Sequence, residues 1–125
     1  MDDDRLLKKI WLDRLYDIYG PLLTEKQREV FMLHHERDLS LSEIADSLGM
    51  SRQGVHDLFQ RSRERLEELE DRIGCLERET RFAKALESVL HWCSGNGVTL
   101  PQELREDLEE LAGFEGTGGT NRRNV

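Results

Sequence analysis

The side chains best suited to a chemical task lie in the stretch that begins at Ser51. Arg52 and Gln53 fall in the first turn of a predicted helix, and the N-terminal turns of such a helix read bases in the DNA major groove. Arginine can form two hydrogen bonds with guanine, and glutamine can do the same with adenine. Later arginines in the same helix are placed to contact phosphates. The predicted nucleic-acid-binding residues are Arg52, Gln53, Gly54, His56, Asp57, Gln60, Arg61 and Arg63.

This face also has features that leave an alternative open. Gly54 weakens a helix, which suggests that it allows close approach to a backbone or a base. Asp57 and Glu64 would repel phosphate, because they carry the same sign of charge. The same residues therefore also fit the polar side of an ordinary surface helix.

Residue patterns typical of catalysis are missing from the sequence. It contains no glycine-rich phosphate loop, HExxH helix, GxSxG turn or paired-cysteine metal motif. His34 and His35 are adjacent and would point in different directions from a helix, and His91 with Cys93 is an equally poor ligand spacing. We therefore expect no enzymatic activity, no metal, no cofactor and no small-molecule ligand.

Two short helices joined by a tight turn are predicted to position the nucleic-acid-binding face. Ser40 can cap the first helix, with Glu43 at the reciprocal position of a capping box. Gly49 stands where a left-handed C-cap favours glycine, and Ser51 can cap the second helix. This order predicts a helix-turn-helix over residues 39–66, although an ordinary helical hairpin would show a similar apolar pattern. The inward apolar positions are Ile44, Ala45 and Leu48, then Val55, Leu58 and Phe59.

Two further helices are predicted before this motif. Residues 4–19 form an amphipathic helix, which Gly20 and Pro21 end. Thr24 then caps a second helix, with Gln27 at the capping-box position. The broad apolar face of the first helix consists of Leu6, Leu7, Ile10, Trp11, Leu15, Ile18 and Tyr19.

A heptad-like apolar series follows the helix-turn-helix. Its spacing runs across Gly74 and favours one continuous helix from Ser51 to about Cys93, with two helices hinged at Gly74 as the alternative. Because such a helix would leave its apolar stripe in water, we expect a homodimer. The alternative is a monomer in which the first helix covers the stripe. The predicted dimer interface consists of Leu66, Leu69, Ile73, Leu76 and Ala83.

The predicted domain organisation has three parts. Residues 1–66 form a helical domain, residues 67–112 form a helical extension for dimerisation, and residues 113–125 form a glycine-rich, disordered tail. The extension ends in a short helix that docks on the long one. The docking face of that short helix consists of Leu104, Leu108 and Leu111.

Composition favours an all-α fold and a protein of the cytoplasm. Charged residues are abundant, proline and aromatic residues are few, and no segment alternates with the period of a strand. The net charge is −8, yet residues 51–65 carry a net charge of +2, so the basic character is confined to the predicted recognition helix. The two cysteines lie in no motif, and neither a signal peptide nor a membrane-spanning segment is found.

Residues 15–74 resemble a known family. The stretch LYDIYGPLLTEKQREVFMLHHERDLSLSEIADSLGMSRQGVHDLFQRSRERLEELEDRIG is similar to the YlxM-like family of small bacterial proteins, whose genes neighbour those of the signal recognition particle protein. Its blocks LTEKQREVF, LSEIADSLG and SRQGV also resemble region four of sigma factors. Gly54 and His56 stand where the family tends to have alanine and tyrosine. The resemblance does not explain residues 75–125.

The resemblance implies an all-α fold with a helix-turn-helix similar to sigma region four, and an accessory or regulatory role in the signal recognition particle pathway. The region-four recognition positions fall on Arg52, Gln53, His56, Asp57 and Gln60. We therefore expect a DNA-binding regulatory protein with a long C-terminal helix or a helical hairpin after the motif. The alternative is an accessory factor that binds the signal recognition particle RNA or its GTPase subunit instead of DNA.

Overall fold

A computed structural model describes residues 2–113 of the 125-residue chain. These residues form α-helices with no strand among them, as the sequence predicts. The helices are α1 Asp2–Tyr19, α2 Glu25–His35, α3 Leu41–Leu48, α4 Arg52–Ile73, α5 Cys75–Gly95 and α6 Gln102–Leu111, with a short 3₁₀ turn at Gly20–Leu22 between α1 and α2. The predicted disordered tail lies outside the described residues except for Gly113. No helix in the described part of the chain is both long and apolar enough to cross a membrane.

The chain divides into two compact units, Met1–Gly74 and Cys75–Val125. The first unit extends past the boundary predicted at residue 66, because Leu66 and Leu69 of α4 are buried in it. The hydroxyl of Tyr19 at the end of α1 also donates a hydrogen bond of 2.8 Å to the Glu70 carboxylate. Helix α1 packs on α4 of the same chain. For Leu66 and Leu69, the first residues of the heptad-like series, this is the alternative in which the first helix covers the apolar stripe.

The core of the first unit joins α2, α3 and α4. Val30, Ile44, Ala45 and Val55 form a buried cluster where these helices meet. Beside it the ring of Phe31 stacks between two other rings, with centroid separations of 4.8 Å to Tyr16 and 5.5 Å to Phe59. The stacked rings come from α1, α2 and α4, and burial of such rings together stabilises the arrangement of these helices.

Helix α1 differs from the single broad apolar face predicted for it. Leu12, Leu15 and Tyr19 are buried, whereas the earlier apolar residues of the helix are exposed. The predicted face does not include Leu12, although this residue lies three residues before Leu15 and therefore on the same side of the helix. The exposed residues are Leu6, Leu7, Ile10 and Trp11, which we call the outer α1 face.

The prediction of one continuous helix from Ser51 to Cys93 is wrong. Helix α4 ends at Ile73, and Gly74 adopts a left-handed conformation with a φ of +71°. Its amide donates to the Glu70 carbonyl at 2.8 Å, which closes the last turn of α4 before α5 begins at Cys75. Glycine adopts this conformation without the steric cost that a Cβ imposes. The apolar spacing on either side of Gly74 is compatible with two helices as well as with one.

In the second unit, α5 and α6 pack together as a helical hairpin. Leu86 and Cys93 of α5 are buried, and so is Ala112 directly after α6. The predicted docking face of α6 is only partly correct, because Leu108 is half-buried whereas Leu104 and Leu111 are exposed. The contact that holds α6 therefore lies to one side of the leucine row.

Candidate nucleic-acid interface

Three local features define where α3 begins and ends and where α4 begins. The Ser40 hydroxyl accepts a hydrogen bond from the Glu43 amide at 3.1 Å, and the Glu43 carboxylate accepts one from the Ser40 amide, which completes the predicted capping box. Gly49 has a φ of +66° and ends α3. The Ser51 hydroxyl then accepts a hydrogen bond from the Gly54 amide at 3.0 Å and starts α4. These backbone features fix the direction in which α4 leaves the turn.

The loop before α3 is held by His34. One ring nitrogen, Nδ1, lies 2.8 Å from the Leu39 carbonyl oxygen and donates to it, since a carbonyl can only accept. The same imidazole packs edge-on against Phe59 of α4, with a centroid separation of 4.8 Å. His34 therefore ties the start of the helix-turn-helix to the inner face of its second helix.

His35 points elsewhere and binds the carboxylate of Asp13 in α1. Burial raises the pKa of Asp13, and the neighbouring imidazole of His35 lowers it in part. The two adjacent histidines thus have separate structural partners. Among residues 2–113, no three histidine, cysteine or carboxylate side chains group in a way that could hold a metal ion.

Most of the predicted nucleic-acid-binding residues lie on the exposed side of the first turns of α4. Arg52 and Gln53 are exposed in the first turn, and the residues that follow them on this side extend for two more turns. Neither Arg52 nor Arg61 forms an ion pair with another described residue. The exposed members of the predicted set are Arg52, Gln53, His56, Asp57, Gln60 and Arg61.

Two amides on this face already have partners on the same helix. The Gln53 amide donates to the Asp57 carboxylate at 2.8 Å, and the Gln60 amide donates to the Glu64 carboxylate at 3.4 Å. Asp57 therefore has a role that the sequence did not suggest, because it orients Gln53 in the unbound protein. A base contact by Gln53 would replace a solvent-exposed hydrogen bond, which contributes little to stability.

Gly54 and Arg63 differ from the rest of the set. A Cβ built at Gly54 would lie 2.9 Å from the Ser51 hydroxyl oxygen, so the glycine makes room for the helix cap. Its predicted role in close approach to a base stays a prediction. Arg63 is only partly exposed and lies 3.9 Å from the Glu67 carboxylate, which places it at the side of α4 and not on its outer face.

The residues predicted for dimerisation do not form a continuous free surface. Leu66, Leu69 and Leu76 are buried in the chain and Ala83 is half-buried, whereas Ile73 is 41% exposed. Dimerisation itself stays a prediction. Sequence reasoning placed the residues of the outer α1 face on one apolar face with Leu15 and Tyr19 and missed that they form a separate, exposed surface; the signal was that α1 carries apolar residues around most of its circumference.

The comparisons with known proteins match most of the chain. A family model described as "Putative helix-turn-helix protein, YlxM / p13 like" (UPF0122) matches residues 6–96. A UPF0122 protein of Thermoanaerobacter sp. (strain X514) is 38% identical over 111 residues, which cover 89% of this chain and 87% of that protein. A UPF0122 protein of Caldanaerobacter subterraneus subsp. tengcongensis is 40% identical over 89 residues, covering 71% and 73%. One from Symbiobacterium thermophilum is 45% identical over 75 residues, covering 60% and 70%.

Proposed function

The chain belongs to UPF0122, the family of YlxM/p13-like helix-turn-helix proteins, and on that premise we propose that it is a DNA-binding regulatory protein. In this proposal the first turns of α4 enter the major groove. The observation that carries it is the exposed pair Arg52 and Gln53, held at the start of a capped recognition helix. The regulatory role in the signal recognition particle pathway follows from the resemblance of residues 15–74 to the YlxM-like family.

The geometry of the first turn supports base reading. A helix that enters a groove with its N-terminus presents the side chains of its first turns to base edges. Arg52 and Gln53 occupy this position, and His56 follows one turn later on the exposed side. Bidentate contacts from such residues each discriminate a correct from a wrong base by ~1–3 kcal/mol.

The electrostatics of α4 support phosphate contact at the same end. The positive end of the helix dipole lies at the N-terminus, where it favours a nearby phosphate. No acidic side chain occupies the first turn of α4, and Arg61 is exposed two turns further along. This arrangement gives a local positive region on a chain whose net charge is −8.

The test begins with selection of binding sequences from random duplexes, followed by measurement of affinity by fluorescence anisotropy. Replacing Arg52 and Gln53 with alanine removes two such base contacts and should lower affinity for the selected duplex by roughly 30-fold to 10,000-fold, with a smaller change for unrelated DNA. Arg72→Ala is the matched control, because Arg72 is exposed on α4 far from the turn. Failure to select any sequence, or equal loss in the control, would refute base reading by α4.

A second candidate function is supported by exposed apolar side chains. Val89 and Trp92 of α5 are 47% and 60% exposed, and such residues favour contacts with protein. In this alternative the chain is an accessory factor that binds the GTPase subunit of the signal recognition particle, or its RNA. The Arg52 and Gln53 double variant separates the two, because a protein-docking factor would keep its partner while a groove reader would lose its DNA.

A further inference from the structure

Helix α1 has two apolar faces, and the described residues of its own chain cover only one of them. Leu12, Leu15 and Tyr19 are buried in the first unit. At about 100° per residue, the outer α1 face lies roughly on the opposite side of the helix. Leu6, Leu7, Ile10 and Trp11 are 56%, 64%, 48% and 38% exposed, which is unusual for adjacent large apolar side chains on one helix.

The apolar residues along this face have the same spacing in both directions, and the two ends of the face carry opposite charges. An acidic residue, two apolar pairs and a basic residue follow one another at spacings of three, one, three, one and three. Reversal of the direction exchanges the acidic end with the basic end and leaves the apolar pairs in place. The residues in this order are Asp3, Leu6, Leu7, Ile10, Trp11 and Arg14.

We propose that the outer α1 face binds the same face of a second copy of this chain, with the two α1 helices antiparallel. A two-fold axis between Lys8 and Lys9 places Leu6 against Trp11 of the second copy and Leu7 against Ile10 of the second copy. A two-fold interface is self-complementary in this way by necessity, because each contact occurs twice. The same register brings Asp3 opposite Arg14 of the second copy, which adds charge complementarity to an alignment already fixed by the apolar side chains.

Lys8 and Lys9, which flank the proposed two-fold axis, do not place their charges in the seam. Lys9 lies 3.7 Å from Asp38 in the loop between α2 and α3 of its own chain, so its charge points away from the proposed seam. Lys8 lies on the side of the helix that carries Leu15, roughly 130° around the helix from the middle of the outer α1 face. Two pairs of lysines therefore do not meet at the axis.

The first test is molar mass in solution, measured by light scattering over a range of concentrations. The full chain should give twice its 14.6 kDa, and replacing Leu7 and Ile10 with glutamate should weaken dimerisation by at least about 100-fold, because four carboxylates would be buried at the seam. Leu22→Glu is the matched control, since Leu22 is 58% exposed but lies outside α1. A monomeric wild-type chain, or a dimer that the double variant leaves intact, would overturn the proposal.

The second test fixes the register and does not depend on the stability of the glutamate variant. In a Cys75→Ser background, Leu6→Cys and Trp11→Cys chains are mixed and mildly oxidised. The two sites face each other in the antiparallel register, whereas two copies of residue 6 are offset by about 7.5 Å along the helices and too far apart for a disulfide. Disulfide formation in the mixture but not in Leu6→Cys alone is expected. Equal cross-linking by Leu6→Cys alone would refute the antiparallel register, and both outcomes are independent of DNA binding.

Discussion

Replacement of Ser51 with alanine tests whether a single hydroxyl sets the start of the recognition helix. The Ser51 hydroxyl accepts a hydrogen bond from the Gly54 amide, and no side chain at the third helical position reaches back to the Ser51 amide, because that position is glycine. Loss of an N-cap serine costs ~1 kcal/mol on average, and a first turn that contains glycine has less intrinsic stability to offset the loss. We expect Ser51→Ala to lower the free energy of unfolding by ~1–2 kcal/mol.

Ser40→Ala is the matched comparison, since it removes the equivalent hydroxyl from α3. There the Glu43 carboxylate still accepts from the residue 40 amide, so part of the cap survives. The expected cost is ~0.5–1 kcal/mol, smaller than at Ser51. In addition, only Ser51→Ala should weaken specific DNA binding beyond its effect on stability, because it loosens the turn that carries Arg52 and Gln53.

The position of Gly54 adds a double-mutant cycle. A Cβ at residue 54 conflicts with the Ser51 hydroxyl oxygen at 2.9 Å, so Gly54→Ala alone should gain little stability. With Ser51 replaced by alanine the conflict is gone, and the same change should recover up to ~1 kcal/mol of helix propensity. Urea denaturation followed by far-UV circular dichroism gives the four free energies. Equal gains from Gly54→Ala in both backgrounds, or a larger cost at Ser40 than at Ser51, would refute the reasoning.

Two further predictions concern the body of the first unit. Burial raises the pKa of Asp13 above its ordinary value of 3.8, and His35→Gln should raise it further because it removes the neighbouring group that lowers it. Carbon-13 NMR titration of the Asp13 carboxyl measures this pKa, and a wild-type value at or below 3.8 would contradict the prediction. The pKa of Asp13 is higher in the folded state than in the unfolded state, so protonation of Asp13 favours folding. Its stabilising contribution is therefore complete below pH 3.8 and is lost as the pH rises through the folded-state pKa. Asp13→Asn should abolish this fall in stability. Gly49→Ala should lower the free energy of unfolding by ~1–2 kcal/mol, because Gly49 has a φ of +66°, whereas Gly95→Ala at a helical φ should not. Equal thermal shifts in the two glycine variants would show that the left-handed conformation is not the cause.

The local signals in the sequence predicted the helix-turn-helix well. The capping boxes at Thr24 and Ser40, the left-handed Gly49 and the cap at Ser51 depend on residues within a few positions of each other. Their hydrogen bonds are formed by neighbouring groups, so the pattern of residue types is sufficient to identify them. The cap at Ser51 fixes where α4 begins, and the spacing of Val55, Leu58 and Phe59 then assigns the exposed side of its first turns.

Long-range packing was predicted less well. Apolar spacing across Gly74 is compatible with one helix or with two, and only the backbone conformation of the glycine decides between them. Spacing likewise marks Leu66 and Leu69 as buried without naming what covers them, and in the structure α1 packs on α4 of the same chain. Helix α1 has a buried and an outer face because one of its sides packs on α4, and the sequence does not say which helix α1 contacts.

The exposure of Trp11 and Trp92 has a practical consequence for spectroscopy. These are the two tryptophans of the chain, one in each compact unit, and both lie at the surface while the stacked core rings are tyrosine and phenylalanine. Indole emission moves to shorter wavelength when water is removed from around the ring. Intrinsic fluorescence of this protein therefore reports the covering of its surface by another molecule more directly than the packing of its core.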